Sequence, residues 1–165
     1  MSNKSASFHE IGVLGPYLFY DITDGQSFAV KKFLCISSYN ERETEAAVEL
    51  LSKYSSILLR RIGIITPYRC QLSLLRSRFS SAFGSSVVAD MDSNGIGFVA
   101  DERRMNVALT RAKLSLWILG NARTLQTNQN WAALVKDAKE RNLAISAKQP
   151  YESLLETAPR DARKR

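Results

Sequence analysis

The sequence predicts an α/β domain in which a parallel sheet carries helices on both faces. Three observations point there. Strand-like and helix-like segments alternate along the chain, Ile62–Ile65 is a short apolar run suited to a buried parallel strand, and Leu114–Leu119 is a second such run. With 165 residues, 45% of them apolar, the chain is long enough for one core.

In chain order, residues 1–7 are small and polar and are expected to form a disordered leader. Gly15 to Ile22 alternates and is rich in aromatics, so it reads as a strand that ends at the turn pair Asp24-Gly25. Asn40-Glu-Arg-Glu43 has the form of a capping box, with Ala47, Leu50, Leu51 and Tyr54 at core spacing behind it. After the Ile62–Ile65 strand, Thr66-Pro67-Tyr68 turns the chain into a helix whose Leu72, Leu75 and Phe79 face inward. Val87–Ala89 reads as a further strand, followed by the connection Asp92-Ser-Asn-Gly-Ile-Gly97 and a helix capped by Asp101. Leu114–Leu119 follows, and then a helix opened by Asn130 with Trp131, Leu134, Val135 and Ala138 inward. Residues 146–165 read as a basic tail, ending Arg160-Asp-Ala-Arg-Lys-Arg165.

Several function classes are excluded. No apolar run reaches the length of a membrane span, and Met1 opens no charged-then-apolar leader. Cys35 and Cys70 make no zinc pattern and read as reduced, buried thiols. The single histidine, His9, falls in the leader and offers little for a Ser/His/Asp site, and Gly95-Ile-Gly97 is no dinucleotide fingerprint. A net charge of +7 favours polyanionic partners, whether through a defined site or through the tail alone.

The segment with most chemical content is Asp101-Glu-Arg-Arg-Met-Asn-Val-Ala-Leu-Thr-Arg-Ala-Lys113. On one continuous helix, Arg104 and Arg111 lie close to two turns apart, about 10 Å along the axis, and point the same way. They border an apolar arc of Met105, Ala108, Leu109 and Ala112. A guanidinium keeps its proton and presents a rigid fork of donors, which suits it to the oxygens of a transferring phosphoryl group. Spacing alone fits equally a pair of surface arginines that snorkel and pair with acids. A second candidate is the loop after Ile62–Ile65, because ligands of doubly wound sheets gather at the carboxyl ends of strands. There Tyr68 can stack on a base, and Arg69 and Gln71 can reach a nucleotide.

Arg104-Met-Asn-Val-Ala-Leu-Thr-Arg-Ala-Lys113 resembles motif VI of superfamily 1 helicases of the senataxin and nonsense-mediated-decay branch. Ile62-Gly-Ile-Ile-Thr-Pro-Tyr-Arg-Cys-Gln71 is similar to their motif IV, and Leu14-Gly-Pro-Tyr-Leu-Phe-Tyr-Asp-Ile22 to a strand near the start of their second RecA-like domain. Leu114-Ser-Leu-Trp-Ile-Leu-Gly-Asn121 is similar to the strand and turn after motif VI. The resemblance implies a RecA-like domain over residues 8–145, with Arg111 as arginine finger, Arg104 as a second arginine at the same ATP cleft, and Tyr68, Gln71 and Arg69 at the nucleotide. It also implies nucleic acid as a partner, RNA ahead of DNA, and a location inside the cell, the nucleus ahead of the cytoplasm.

Two departures limit what is carried over. No phosphate loop of the form G-x-x-x-x-G-K-S/T occurs. ATP and Mg2+ are therefore expected only beside a first RecA-like domain, such as one supplied in trans, and the chain alone is expected to be inactive. Met91-Asp-Ser also joins Val87-Val-Ala89 directly to Asn94-Gly-Ile-Gly-Phe98. The family carries motif V and a further strand there, so about thirty residues are missing near residues 91–94 and the sheet is expected to be incomplete. The alternative is a noncatalytic basic module, derived from a helicase, that binds RNA or a protein.

Overall fold

The computed structural model describes residues 7–10, 14–25, 27–32, 35–54, 62–66, 68–84, 102–149 and 151. The expected strand Val87–Ala89, the cap Asp101, the junction near 91–94 and the tail beyond residue 151 lie outside the described residues. Two compact units emerge, one of residues 1–24 with 106–165 and one of residues 25–105.

In the first unit, β1 (Tyr17–Ile22) is the middle strand of a parallel sheet, between β4 (Leu116–Gly120) and β5 (Ala144–Ala147). A middle strand of a parallel sheet is covered on both faces, which is why Leu18, Phe19, Tyr20 and Ile22 are all buried. The alternating reading of this segment therefore found the strand without finding that both of its faces are apolar. The short helix α4 (Ala122–Leu125) and the longer α5 (Gln129–Glu140) supply Ala122, Val135 and Ala138 to the core around Phe19.

Asn128 opens α5, its side chain accepting from the N–H groups of Asn130 and Trp131. The start is thus two residues earlier than the reading from Asn130. The helix closes with paired bonds from Asn142 N to Lys139 O and from Leu143 N to Ala138 O, a Schellman arrangement with Asn142 at φ 54°. That closure delivers the chain into β5, which crosses residue 145, and Tyr151 beyond it is buried with its hydroxyl donating to Asp24. Ordered structure therefore continues past the boundary that the change in composition suggested.

The second unit departs from the expected all-parallel pattern. Residues 27–40 form an antiparallel hairpin, β2 (Ser27–Lys32) with β3 (Cys35–Asn40), in register from Ser27 opposite Asn40 to Lys32 opposite Cys35. The helix α2 (Arg69–Phe83) packs against β3, and α1 (Glu41–Lys53) packs against α2. Leu50 and Leu51 face inward from α1, and Leu72, Leu75 and Phe79 from α2, each burial contributing about 1.5–3 kcal/mol. Residues 62–66 form no strand, and Ile65 is 45% exposed. An apolar run becomes a strand only where a ladder partner is present, and sequence spacing does not supply one.

The helix α3 (Glu102–Thr110) contains the boundary between the two units, between Met105 and Asn106. It stops before Arg111. The Thr110 hydroxyl donates to the carbonyl oxygens of Asn106 (2.7 Å) and Val107 (3.2 Å), and Arg111 N bonds Ala108 O at 3.3 Å, so the last turn tightens.

Candidate functional site

Around the start of α1 a buried polar cluster organises the second unit. Asn40 is the N-cap in extended conformation, its Oδ1 accepting from Arg42 N (3.0 Å) and Glu43 N (3.3 Å). In an ordinary capping box the glutamate would reach back to the Asn40 N–H. Here that N–H donates to Gln71 Oε1, and Glu43 Oε1 accepts from Asn40 Nδ2 at 3.1 Å instead. The Gln71 amide also donates to Asn40 O (3.1 Å) and to Thr44 Oγ1 (2.9 Å). Gly25 lies so close that a Cβ there would sit 2.7 Å from Asn40 Nδ2, so a side chain at this position would have to displace the Asn40 amide.

This geometry gives Gln71 a structural role that the sequence reading did not include. The residue is 5% exposed, and both ends of its amide join α2 to α1. A buried amide with three such bonds is a structural clip, and leaving its partners unpaired would carry a desolvation penalty. Tyr68 and Arg69, just before and at the start of α2, are exposed. The Tyr68 side chain makes no cap bond of its own.

Electrostatics follow from the same packing. Burial pushes the Glu43 carboxyl up to about 7 from its usual 4.5, and the Asn40 hydrogen bond opposes the shift. Burial also raises the Tyr68 phenol, with the Glu43 charge adding to it, so this hydroxyl and carboxyl are electrostatic neighbours.

In the first unit, Arg111 stands in the turn after α3 and is exposed. It stands one residue past the end of the helix that contains Arg104. Ala112 is exposed too, outside the expected apolar arc, whereas Met105 is buried as read. Arg104 lies within α3, and its side chain is outside the description. Among the described residues no ion pair or side-chain hydrogen bond engages the Arg111 guanidinium. Nearby in sequence, Ser115 Oγ is 2.7 Å from Nε2 of His9, so His9 belongs to a short helical turn, Ser7–Glu10, rather than to a loose leader. Cys70 is half-buried, not fully buried as the sequence reading had it. Among the described residues no cluster of three His, Cys, Asp or Glu side chains is placed to hold a metal ion.

Sequence reasoning found Asn40 as a helix start and missed it as the centre of a polar cluster. The usable signal was Asn40 with Glu43 three residues on, together with a glutamine in the first turn of the next helix.

Comparison with known proteins adds an independent line. The AAA domain family matches residues 1–91 and 83–123. Helicase SEN1 of Saccharomyces cerevisiae is 35% identical over 166 residues, covering 82% of this chain and 7% of that protein. Helicase sen1 of Schizosaccharomyces pombe is 39% identical over 159 residues, covering 79% and 9%. Regulator of nonsense transcripts 1 of Dictyostelium discoideum is 30% identical over 158 residues, covering 79% and 12%. The chain therefore spans a small fraction of the length of the relatives it matches.

Proposed function

The chain belongs to the superfamily 1 helicases of the senataxin and nonsense-transcript-regulator branch, and we propose that it is a partial second RecA-like lobe that supplies Arg111 to an ATP site completed by a first lobe. Its parallel sheet with flanking helices is an incomplete RecA-like α/β fold. The observation that carries the proposal is the exposed, unengaged Arg111 at the end of a motif VI sequence. A residue that acts on a phosphoryl group held by another lobe has to be free of internal partners until that lobe arrives.

In this reading Arg111 contributes fixed positive charge to the γ-phosphate as charge develops there, and Arg104 lies at the same cleft. Tyr68 offers its ring to the base and Arg69 its charge to the nucleotide. The phosphate loop and the Mg2+ ligands come from the first lobe, and ATP with Mg2+ supplies the phosphoryl group to be transferred to water. The alignment with SEN1 runs about thirty residues longer than the part of this chain that it covers, which agrees in length with a missing motif V.

A second reading is favoured by the net charge of +7: a noncatalytic module that binds RNA, or another polyanion, through its basic surface. Adding a first RecA-like lobe in trans separates the two. ATP turnover that appears only with both lobes supports the helicase-lobe reading. Unchanged affinity for RNA with no turnover supports the basic module.

A further inference from the structure

Three places in the described residues have chemistry that the proposed function does not use: the His9–Ser115 contact, the half-buried thiol of Cys70 and the Asn40–Gln71 cluster. The first two do not connect to a group that could meet a ligand in the proposed site. The third is a connected device that ends beside an exposed aromatic ring.

We propose that Gln71 is a positioning residue, whose amide fixes the first turn of α2 to the first turn of α1 and thereby holds Tyr68 in place to receive a nucleotide base. The base-stacking part of this statement rests on the helicase-lobe reading; the positioning part rests on geometry alone.

Tyr68 precedes α2 and has little holding it directly. Its side chain forms no cap bond, and its N–H donates to Thr66 Oγ1 over 3.4 Å at an exposed position. Its carbonyl accepts from Leu72 N at 3.0 Å, so its backbone goes where the first turn of α2 goes. That turn is tied to α1 by Gln71, through Asn40 N, Asn40 O and Thr44 Oγ1. Thr44 Oγ1 in turn donates to Asn40 O at 3.2 Å, which closes the cluster. The Tyr68 hydroxyl then lies within the electrostatic reach of Glu43, whose carboxyl is bonded to the same Asn40. Tyr68 thus sits at the end of a continuous set of hydrogen bonds that starts at a helix cap. An immobilised ring loses less freedom when a base stacks on it than a mobile one does, so the clip should favour binding.

The test uses the full chain labelled with 3-fluorotyrosine, with the Tyr68 fluorine resonance assigned from Tyr68→Phe. In the parent, Tyr68 should be shifted from the position of free fluorotyrosine. In Gln71→Met, which keeps the volume and removes every hydrogen bond, it should move to the free position while the Tyr39 and Tyr54 resonances of the same unit stay in place. Thr44→Val removes one bond from the clip and should produce a smaller move in the same direction, and it decides the matter should Gln71→Met fail to fold. A Tyr68 resonance unmoved in a folded Gln71→Met, or in Thr44→Val where that variant decides, overturns the positioning role. Fluorescent ATP titrated into the same proteins, each with a first RecA-like lobe added in trans, should bind the parent and lose about tenfold or more in affinity in both Tyr68→Ala and Gln71→Met, the scale of a lost stack. Absence of nucleotide binding in the parent would refute the stacking reading, while the fluorine shift would still decide the positioning role.

Discussion

Gln71 and Arg111 are both polar residues singled out by the same family resemblance, and their surroundings differ in kind. The Gln71 amide is buried and spent on three bonds to Asn40 and Thr44, whereas the Arg111 guanidinium is exposed with no bond among the described residues. A motif preserves both kinds of residue, those that meet the ligand and those that hold the elements that meet it. Burial together with hydrogen-bond satisfaction separates them. In the proposed reading α1 and α2 are the scaffold for Tyr68, and the exposed Arg111 after α3 is the charge that meets the phosphate.

The contrast can be broken most directly at Arg111. In a protein that carries a first RecA-like lobe and a restored motif V, Arg111→Ala should lower ATP turnover by about 10³-fold or more and leave the melting temperature at the parental value. A comparable loss of stability instead would place Arg111 with Gln71 as a structural residue.

The next effect is a pH dependence set by Glu43. Its folded pKa, about 7, lies above the unfolded value of 4.5, so the folded state holds the proton more tightly. The resulting stabilisation is fully present below pH 4.5 and is lost as pH rises through about 7, a span of about 3 kcal/mol at most. Glu43→Gln should remove this slope in urea unfolding followed between pH 4.5 and 8. A slope unchanged in the variant would assign it to other groups.

Gln71→Ala should cost about 2 kcal/mol in denaturant unfolding, because the Asn40 N–H loses its acceptor inside the unit. A loss under half that size would mean that water replaces the amide and that the clip is weaker than drawn. The smallest effect belongs to the other unit, where Asn128→Ala should cost about 1 kcal/mol by uncapping α5. A cost near zero would show that the bonds from Asn128 to Asn130 and Trp131 are not needed to start that helix.

Much of the fold was legible because its signals are local. The strand at Tyr17–Ile22, the cap at Asn40, the inward Leu72, Leu75 and Phe79 and the strand ending at Gly120 all follow from short-range pattern. The hairpin of β2 and β3 was missed, and Ile62–Ile65 was taken for a strand, because pairing depends on a partner distant from the segment itself. The end of α3 falls before Arg111, whose N–H bonds the carbonyl three residues back, a change that the apolar spacing does not reveal. At the candidate site, sequence conveyed the polarity of Gln71 but not its burial. Its true partners, Asn40 and Thr44, lie 31 and 27 residues away.

The most direct test of the lobe assignment is the comparison of Arg111→Lys with the parent in the protein with a first lobe and motif V restored. Lysine keeps the charge and loses the planar fork that spans two phosphate oxygens. The account predicts that Arg111→Lys melts like the parent, binds ATP with little change and turns it over as poorly as Arg111→Ala. Hydrolysis at the parental rate in both variants would contradict it and return Arg111 to the role of a solvated surface charge.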